Sequence, residues 1–166
     1  AAYFIHHPIL MARPEAVSAA HVHTPWGTPF SAEVRPIEPI SQESCVFFED
    51  HAIFDDEEVQ IQDTDGGKRI AAAMGSHRAV ILRNHGLLTV GKTVAEAFIR
   101  LYRLESACQV QLDAGAAGSL RVLNQDLARK SGKDVKRFME QEDNFGQLEF
   151  DALVRKIDKL DDSYRL

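Results

Sequence analysis

The chain has 166 residues, 45% hydrophobic and 27% charged, which is enough for one packed core and too short for two comfortable domains. Its formal net charge of −6 is spread along the whole length and leaves no basic face for a phosphate backbone, so nucleic acid is disfavoured as a partner. The two cysteines, Cys45 and Cys108, lie far apart in segments that read as strand and helix, which argues against a disulfide framework and for a reducing, cytoplasmic setting. No apolar run approaches membrane length, so no membrane partner is expected.

In chain order, Ala2–Ala12 reads as a helix carrying Phe4, Ile5, Ile9 and Leu10, with Pro8 in an early turn and Arg13-Pro14 as its stop. No initiator methionine, signal pattern, cap or turn precedes it, so an upstream N-terminal segment is expected. Val17–His23 is small and apolar enough for a short strand buried on both faces. Thr24-Pro25-Trp26-Gly27 turns into a short helix ending near Glu33, and the apolar run Cys45–Phe48 is a candidate second strand.

The acidic run Asp55–Glu58 lacks the spacing and glycine of a calcium loop and reads as a solvated turn. Gly66-Gly67 opens a helix, Lys68–Met74, that ends at Gly75. Arg78–Arg83 is the clearest strand, and beyond Asn84-His85-Gly86 the chain stays extended through Leu87–Val90 to Gly91. Thr93 and Glu96 stand at capping-box spacing before the long amphipathic helix Ala97–Asp113.

After a break at Gly115–Gly118, two amphipathic stretches, about Asn124–Gln141 and Leu148–Lys159, read as helices. Helices alternating with short buried strands, followed by helices alone, indicate an α/β or α+β layered fold around a central sheet. We expect a single domain over residues 1–166, with 119–166 as a helical tail.

The chemistry is carried by histidine placement. Along a strand, residues i and i+2 project from one face, so His21 and His23 present two imidazoles side by side. His85 lies just past the end of the other strong strand, where α/β sheets gather functional groups. Three imidazoles with an open fourth position suit a catalytic zinc ion, and the same donors would hold iron, manganese or cobalt. An isolated His-x-His pair is more often a surface accident. Here the pair closes a strand of small apolar residues, and a third histidine occupies a comparable place. Asn84 carries an amide that could orient the ligand or touch substrate, or equally cap the strand end. His51 and His77 have no spacing argument and read as surface groups. Tyr164 reads as part of a disordered end, or as a group reaching a neighbouring subunit.

The segments Ala16–Ser31 (AVSAAHVHTPWGTPFS) and Val80–Gly91 (VILRNHGLLTVG) resemble the class II aldolase/adducin family. The resemblance runs from His6 and Arg13-Pro14-Glu15, through Pro39–Glu43, to Glu105–Gln109 on the long helix, about two thirds of the chain. It implies a three-layer αβα fold with a central, largely antiparallel mixed sheet, and a homotetramer with active sites at subunit interfaces. It also implies that His21, His23 and His85 bind zinc or another divalent metal. The metal would polarise a hydroxy or oxo acid and stabilise the enolate left when a carbon–carbon bond breaks.

Two departures from the sugar-phosphate aldolases matter. By register from His21, Ala2 falls where those enzymes place an acid/base carboxylate, and Gln42 lies near the position of a proton-donating tyrosine. Both point toward the adducin-like branch, with its decarboxylases, an iron-dependent oxygenase and the non-enzymatic adducin heads. His6 matches a histidine common in the family, with a pocket-lining role and a structural one equally open. Its neighbour His7 points roughly 100° away around the helix and is set aside. Glu43 could serve as a ligand or base, or be a loop charge. The expected function is a metal-dependent lyase cleaving a small hydroxy or oxo acid. An iron oxygenase on the same histidines and a non-catalytic assembly module are the alternatives.

Overall fold

The computed structural model describes residues 2–141 and 144–165. Four short strands form one mixed sheet: β1 (Ser18–Val22), β2 (His51–Phe54), β3 (Ala79–Leu82) and β4 (Gly86–Gly91), in the order β1-β4-β3-β2. β4 pairs antiparallel with both β1 and β3, and β2 joins β3 in parallel. Alternation along the central strands sorts their side chains into two layers, as the two-residue period of a pleated strand requires. Ala79, Ile81 and Leu87 enter one core, and Val80, Leu82, Leu88 and Val90 enter the other.

The second core is closed by helices α1 (Ala2–Ala12) and α4 (Thr64–Met74), through Ile5, Ile9, Ile70 and Met74. These two helices cross so closely that a Cβ on Gly67 would lie 1.8 Å from the Phe4 carbonyl oxygen, so α4 requires glycine there. The first core is closed by α2 (Gly27–Ala32) and the long α5 (Val94–Ala117), with Phe30, Leu101, Leu104 and Cys108. α3 (Gln42–Cys45), α6 (Gln125–Gln141) and α7 (Gln147–Asp158) complete that layer. The architecture is the expected αβα sandwich on a mainly antiparallel sheet.

The differences from expectation have local causes. Cys45–Phe48 is not a strand. Ser41 and Ser44 form reciprocal side-chain to backbone caps that start a helical turn at Gln42, and turns continue it through Glu49. The strand comes three residues later, at His51–Phe54, where four residues give too little pattern to read. β1 is half-buried throughout and not enclosed on both faces, because it stands at the sheet edge, paired with β4.

α4 begins at Thr64, four positions early, since Asp63 accepts from the Gly66 N–H at 2.8 Å and caps it. α5 runs on to Ala117, through part of the expected break. At its start Thr93 accepts from the Glu96 N–H at 3.0 Å, and the Glu96 carboxylate takes the Lys92 N–H. The acidic turn is tied to arginines, Asp55 to Arg83 and Asp56 and Glu58 to Arg69. His51 is not a surface group. Its Nδ1 donates to the Phe47 carbonyl at 2.6 Å and its Nε2 accepts from the Ile37 N–H at 3.0 Å, while burial lowers its pKa. Tyr164 lies in a 3-10 turn, Ser163–Arg165, and donates to the Asp158 carboxylate at 2.5 Å.

Candidate metal centre

The end of β1 and the β3–β4 turn meet because β1 pairs with β4. Val22 lies opposite Leu87 and His21 opposite Leu88, which sets His85 beside the edge strand. The turn is shaped by two residues. Asn84 adopts a left-handed φ of 53°, which asparagine tolerates better than most residues, and Gly86 comes so close to β1 that a Cβ would lie 2.4 Å from the Val22 carbonyl oxygen. The exposed Asn84 is therefore explained by the turn it permits.

Three imidazoles converge here. His21 Nε2 lies 3.1 Å from His23 Nε2 and 3.3 Å from His85 Nε2, and one nitrogen from each ring falls within 4.8 Å of the other two. Metal–nitrogen bonds of about 2.0–2.1 Å in a tetrahedral site put neighbouring donors roughly 3.3 Å apart, so the spacing fits a first-row divalent ion. The Leu87 carbonyl, 2.9 Å from His21 Nδ1, assigns the ring proton to that nitrogen and turns the Nε2 lone pair toward the shared point. Burial pushes the His21 pKa down to about 4 and lowers that of His85, so both rings stay neutral near neutral pH, as ligands must be. The donor set thus fits a bound metal. His23 is exposed, which leaves the centre open on one side.

A cavity of about 600 Å³ opens from the histidines, walled by Ala2, Phe4 and Ile5 of α1 and by the Val59–Gln62 segment. Ala2 therefore lines the same cavity as the triad. His6 packs edge-on to His21 with ring centroids 6.3 Å apart but lies outside the converging trio. Burial lowers its pKa, offset in part by the Ala19 backbone. Gln42 and Glu43 are exposed on α3, which packs on α5 and α6, and they are not among the residues lining this cavity. His7 is exposed and stacks on Tyr3.

One contributor entered the sequence reading only as part of the resemblance and was given no role there. Glu105 of α5 accepts from Thr24 Oγ1 at 2.5 Å, from the Trp26 N–H at 3.0 Å and from the Gly27 N–H at 2.8 Å. It anchors the segment that leaves His23 and starts α2. The available signal was a carboxylate on the apolar side of α5, beside the buried Leu101, Leu104 and Cys108.

An αβα sandwich that gathers three imidazoles from an edge strand and a neighbouring hairpin turn defines a class of metal-binding fold. Residues 1–112 match the Class II Aldolase and Adducin N-terminal domain, and the chain belongs to that family. It is 42% identical over 135 residues to a 4-hydroxy-3-prenylphenylpyruvate oxygenase/4-hydroxy-3-prenylbenzoate synthase of Streptomyces roseochromogenus subsp. oscitans, covering 81% of this chain and 49% of that protein. It is 39% identical over 158 residues to Decarboxylase NovR of Streptomyces niveus, covering 95% of this chain and 58% of that one. The chain thus spans about half the length of these curated relatives. Among solved structures, an aldolase II superfamily protein from Pseudomonas syringae superposes with a TM-score of 0.82 at 32% identity, covering 99% of this chain and 64% of that one.

Proposed function

We propose that the protein is a metal-dependent lyase that cleaves a carbon–carbon bond of a small hydroxy or oxo acid, by decarboxylation or retro-aldol reaction. The observation that carries this reading is the convergence of the three Nε2 atoms beside a cavity of substrate size. His21, His23 and His85 are the ligands, with zinc favoured by the all-imidazole donor set and iron, manganese and cobalt as competitors. Such an ion supplies Lewis acidity to substrate oxygens and draws off the charge that develops as the bond breaks.

The chain's own groups do the remaining work. The Leu87 carbonyl holds the His21 tautomer, Glu105 anchors the segment after His23, and Asn84 and Gly86 shape the turn that presents His85. α1 and the Val59–Gln62 segment screen one side of the cavity from water. His6, beside His21, is the nearest candidate for returning a proton to product carbon. Gln42 and Glu43, exposed on α3, are proposed to act only across a subunit contact, in a homotetramer working in the cytoplasm.

The test is metal analysis of the purified chain and of His85→Ala. Bound metal near one equivalent, lost in the variant, is the expected result. Unchanged metal in His85→Ala would reject the site. A second reading, an iron-dependent oxygenase on the same histidines, is favoured by the oxygenase name of the Streptomyces roseochromogenus relative. Iron as the resident metal with turnover that consumes oxygen would replace the lyase reading.

A further inference from the structure

We infer that α2 is the common support of the three imidazoles, with Gly27 and Ser31 as positioning residues for the metal they hold. The inference deepens the metal reading and rests on it for the ion. His21, His23 and His85 come from two separate stretches of chain, so their spacing depends on what fixes those stretches to each other. β1 and β4 pair along their backbones, but the pairing ends at Val22 opposite Leu87, and His23 and His85 both lie beyond it. α2 reaches past that end on each side.

Its first turn carries on from His23. The N–H groups of Trp26 and Gly27 donate to the Glu105 carboxylate at 3.0 and 2.8 Å, which fixes that turn against α5. Its last turn reaches the other arm, where the Ser31 carbonyl accepts the Asn84 N–H at 3.3 Å, one residue before His85. Ser31 is fully buried and its hydroxyl donates to the Thr28 carbonyl at 2.7 Å, so the carbonyl that takes Asn84 belongs to a closed turn. Between these ends Gly27 packs on Leu87, whose own carbonyl lies 2.9 Å from His21 Nδ1. One six-residue helix therefore touches the support of every ligand.

The approach at Gly27 leaves no space. A Cβ there would lie 2.5 Å from Leu87 Cδ1, 2.6 Å from Leu87 Cγ and 2.7 Å from Thr24 Oγ1. Gly27 has a helical backbone without a positive φ, so alanine suits its conformation and improves its helix propensity. Only the contact acts against it. Leu87 is fully buried in the first core, where packing resists its turning aside. The new methyl must therefore lift α2 from β4 or displace Leu87, drawing the Ser31 carbonyl from Asn84 or the Leu87 carbonyl from His21. Loss of such orienting groups weakens metal binding by about 10–100-fold.

The test compares wild type, Gly27→Ala and Ser31→Gly in three measurements. These are competition titration with a zinc chelator, visible absorption of the cobalt-loaded chain, whose bands report coordination geometry, and hydrogen exchange of the Asn84 amide in the metal-free chain. Gly27→Ala is expected to bind zinc about 10–100-fold more weakly, with altered cobalt bands and faster Asn84 exchange. Ser31→Gly adds no atoms and loosens the far end of α2, so it should move all three in the same direction by less, and it carries the test if Gly27→Ala does not fold. A fold that is destabilised with its centre intact lowers the urea midpoint and leaves the cobalt bands in place. Wild-type zinc affinity in the folded variant, or weaker zinc binding with unchanged cobalt bands and unchanged Asn84 exchange, would overturn the inference.

The exchange measurement separates the two readings. Absence of metal binding by wild type rejects the metal reading alone. Faster Asn84 exchange in the variant then still supports α2 as the link between the two arms, and unchanged exchange rejects it.

Discussion

Replacing Glu105 with alanine tests whether the segment after His23 is held from across the first core. The carboxylate accepts three hydrogen bonds, two of them from the backbone N–H groups of Trp26 and Gly27 at 3.0 and 2.8 Å. A hydrogen bond to a charged acceptor contributes about 1.5–3 kcal/mol, and the three share one acceptor group and do not add. We therefore expect a loss of about 3 kcal/mol, which for a chain of this size lowers the melting temperature by about 6–12 °C.

The same change frees the residues that aim His23, and loss of a group orienting a ligand typically weakens metal binding by about 10–100-fold. Glu105→Gln keeps the shape but must turn its NH2 toward one of the backbone donors, so it should fall between wild type and alanine on both scales. Urea unfolding of the metal-free chain reads the first effect, and competition titration with a zinc chelator reads the second. Stability within about 0.5 kcal/mol of wild type, together with unchanged zinc affinity, would refute the reasoning.

Other outcomes follow from buried charge. Arg100 is 5% exposed and donates to the Glu96 carboxylate and the Val90 carbonyl, so Arg100→Met should destabilise by about 3–5 kcal/mol, with much of the loss recovered when Glu96→Gln is added, as measured by urea unfolding. In the metal-free chain, burial lowers the folded-state pKa of His6, His21, His51 and His85 below the unfolded value of about 6.5. The unfolded chain then binds more protons in acid. Stability should be full above about pH 6.5 and fall as pH drops toward about 4, where His21 titrates. A flat unfolding free energy across that range would contradict the burial.

The parts of the fold legible in the sequence are those fixed by short-range pattern. The apolar run of β3, the Thr93 cap of α5 and the stop at Gly75 are all local, and the structure retains them. What failed depended on side-chain hydrogen bonds that the hydrophobic pattern does not show. Nothing near Cys45–Phe48 distinguishes an apolar strand from an apolar turn except the reciprocal serine caps upstream. His51 looked like a surface group because its partners, Ile37 and Phe47, are brought to it by a loop and a turn.

The centre follows the same division. The i, i+2 spacing of His21 and His23 is local and readable. The approach of His85 depends on β1 pairing with β4, and the anchor at Glu105 on contacts about 80 residues apart in the chain. The apolar cavity wall was unreadable for that reason. Val59–Gln62 has no regular structure, and only the folded chain sets it beside α1 and the histidines.

For the lyase proposed above, Ala2 bears on which of the two reactions is run. It lines the cavity with the histidines, and a methyl group there can neither take nor give a proton. Retro-aldol cleavage begins by removing a hydroxyl proton and needs a base at the substrate. Decarboxylation begins from a carboxylate already ionised at neutral pH, so the bond to carbon dioxide breaks without one. An apolar Ala2 therefore favours decarboxylation.

Ala2→Glu separates the cases. A new carboxylate beside an anionic substrate opposes binding, so for a decarboxylase KM should rise with little change in kcat. The added charge lies in the first turn of α1, where an acidic side chain is tolerated, so the fold should survive. Steady-state kinetics on a 3-oxo acid, whose loss of carbon dioxide leaves an enolate, followed by carbon dioxide release, read the result. An increase in kcat for Ala2→Glu would mean that the wild-type reaction is limited by a missing base, and would move the assignment to retro-aldol cleavage.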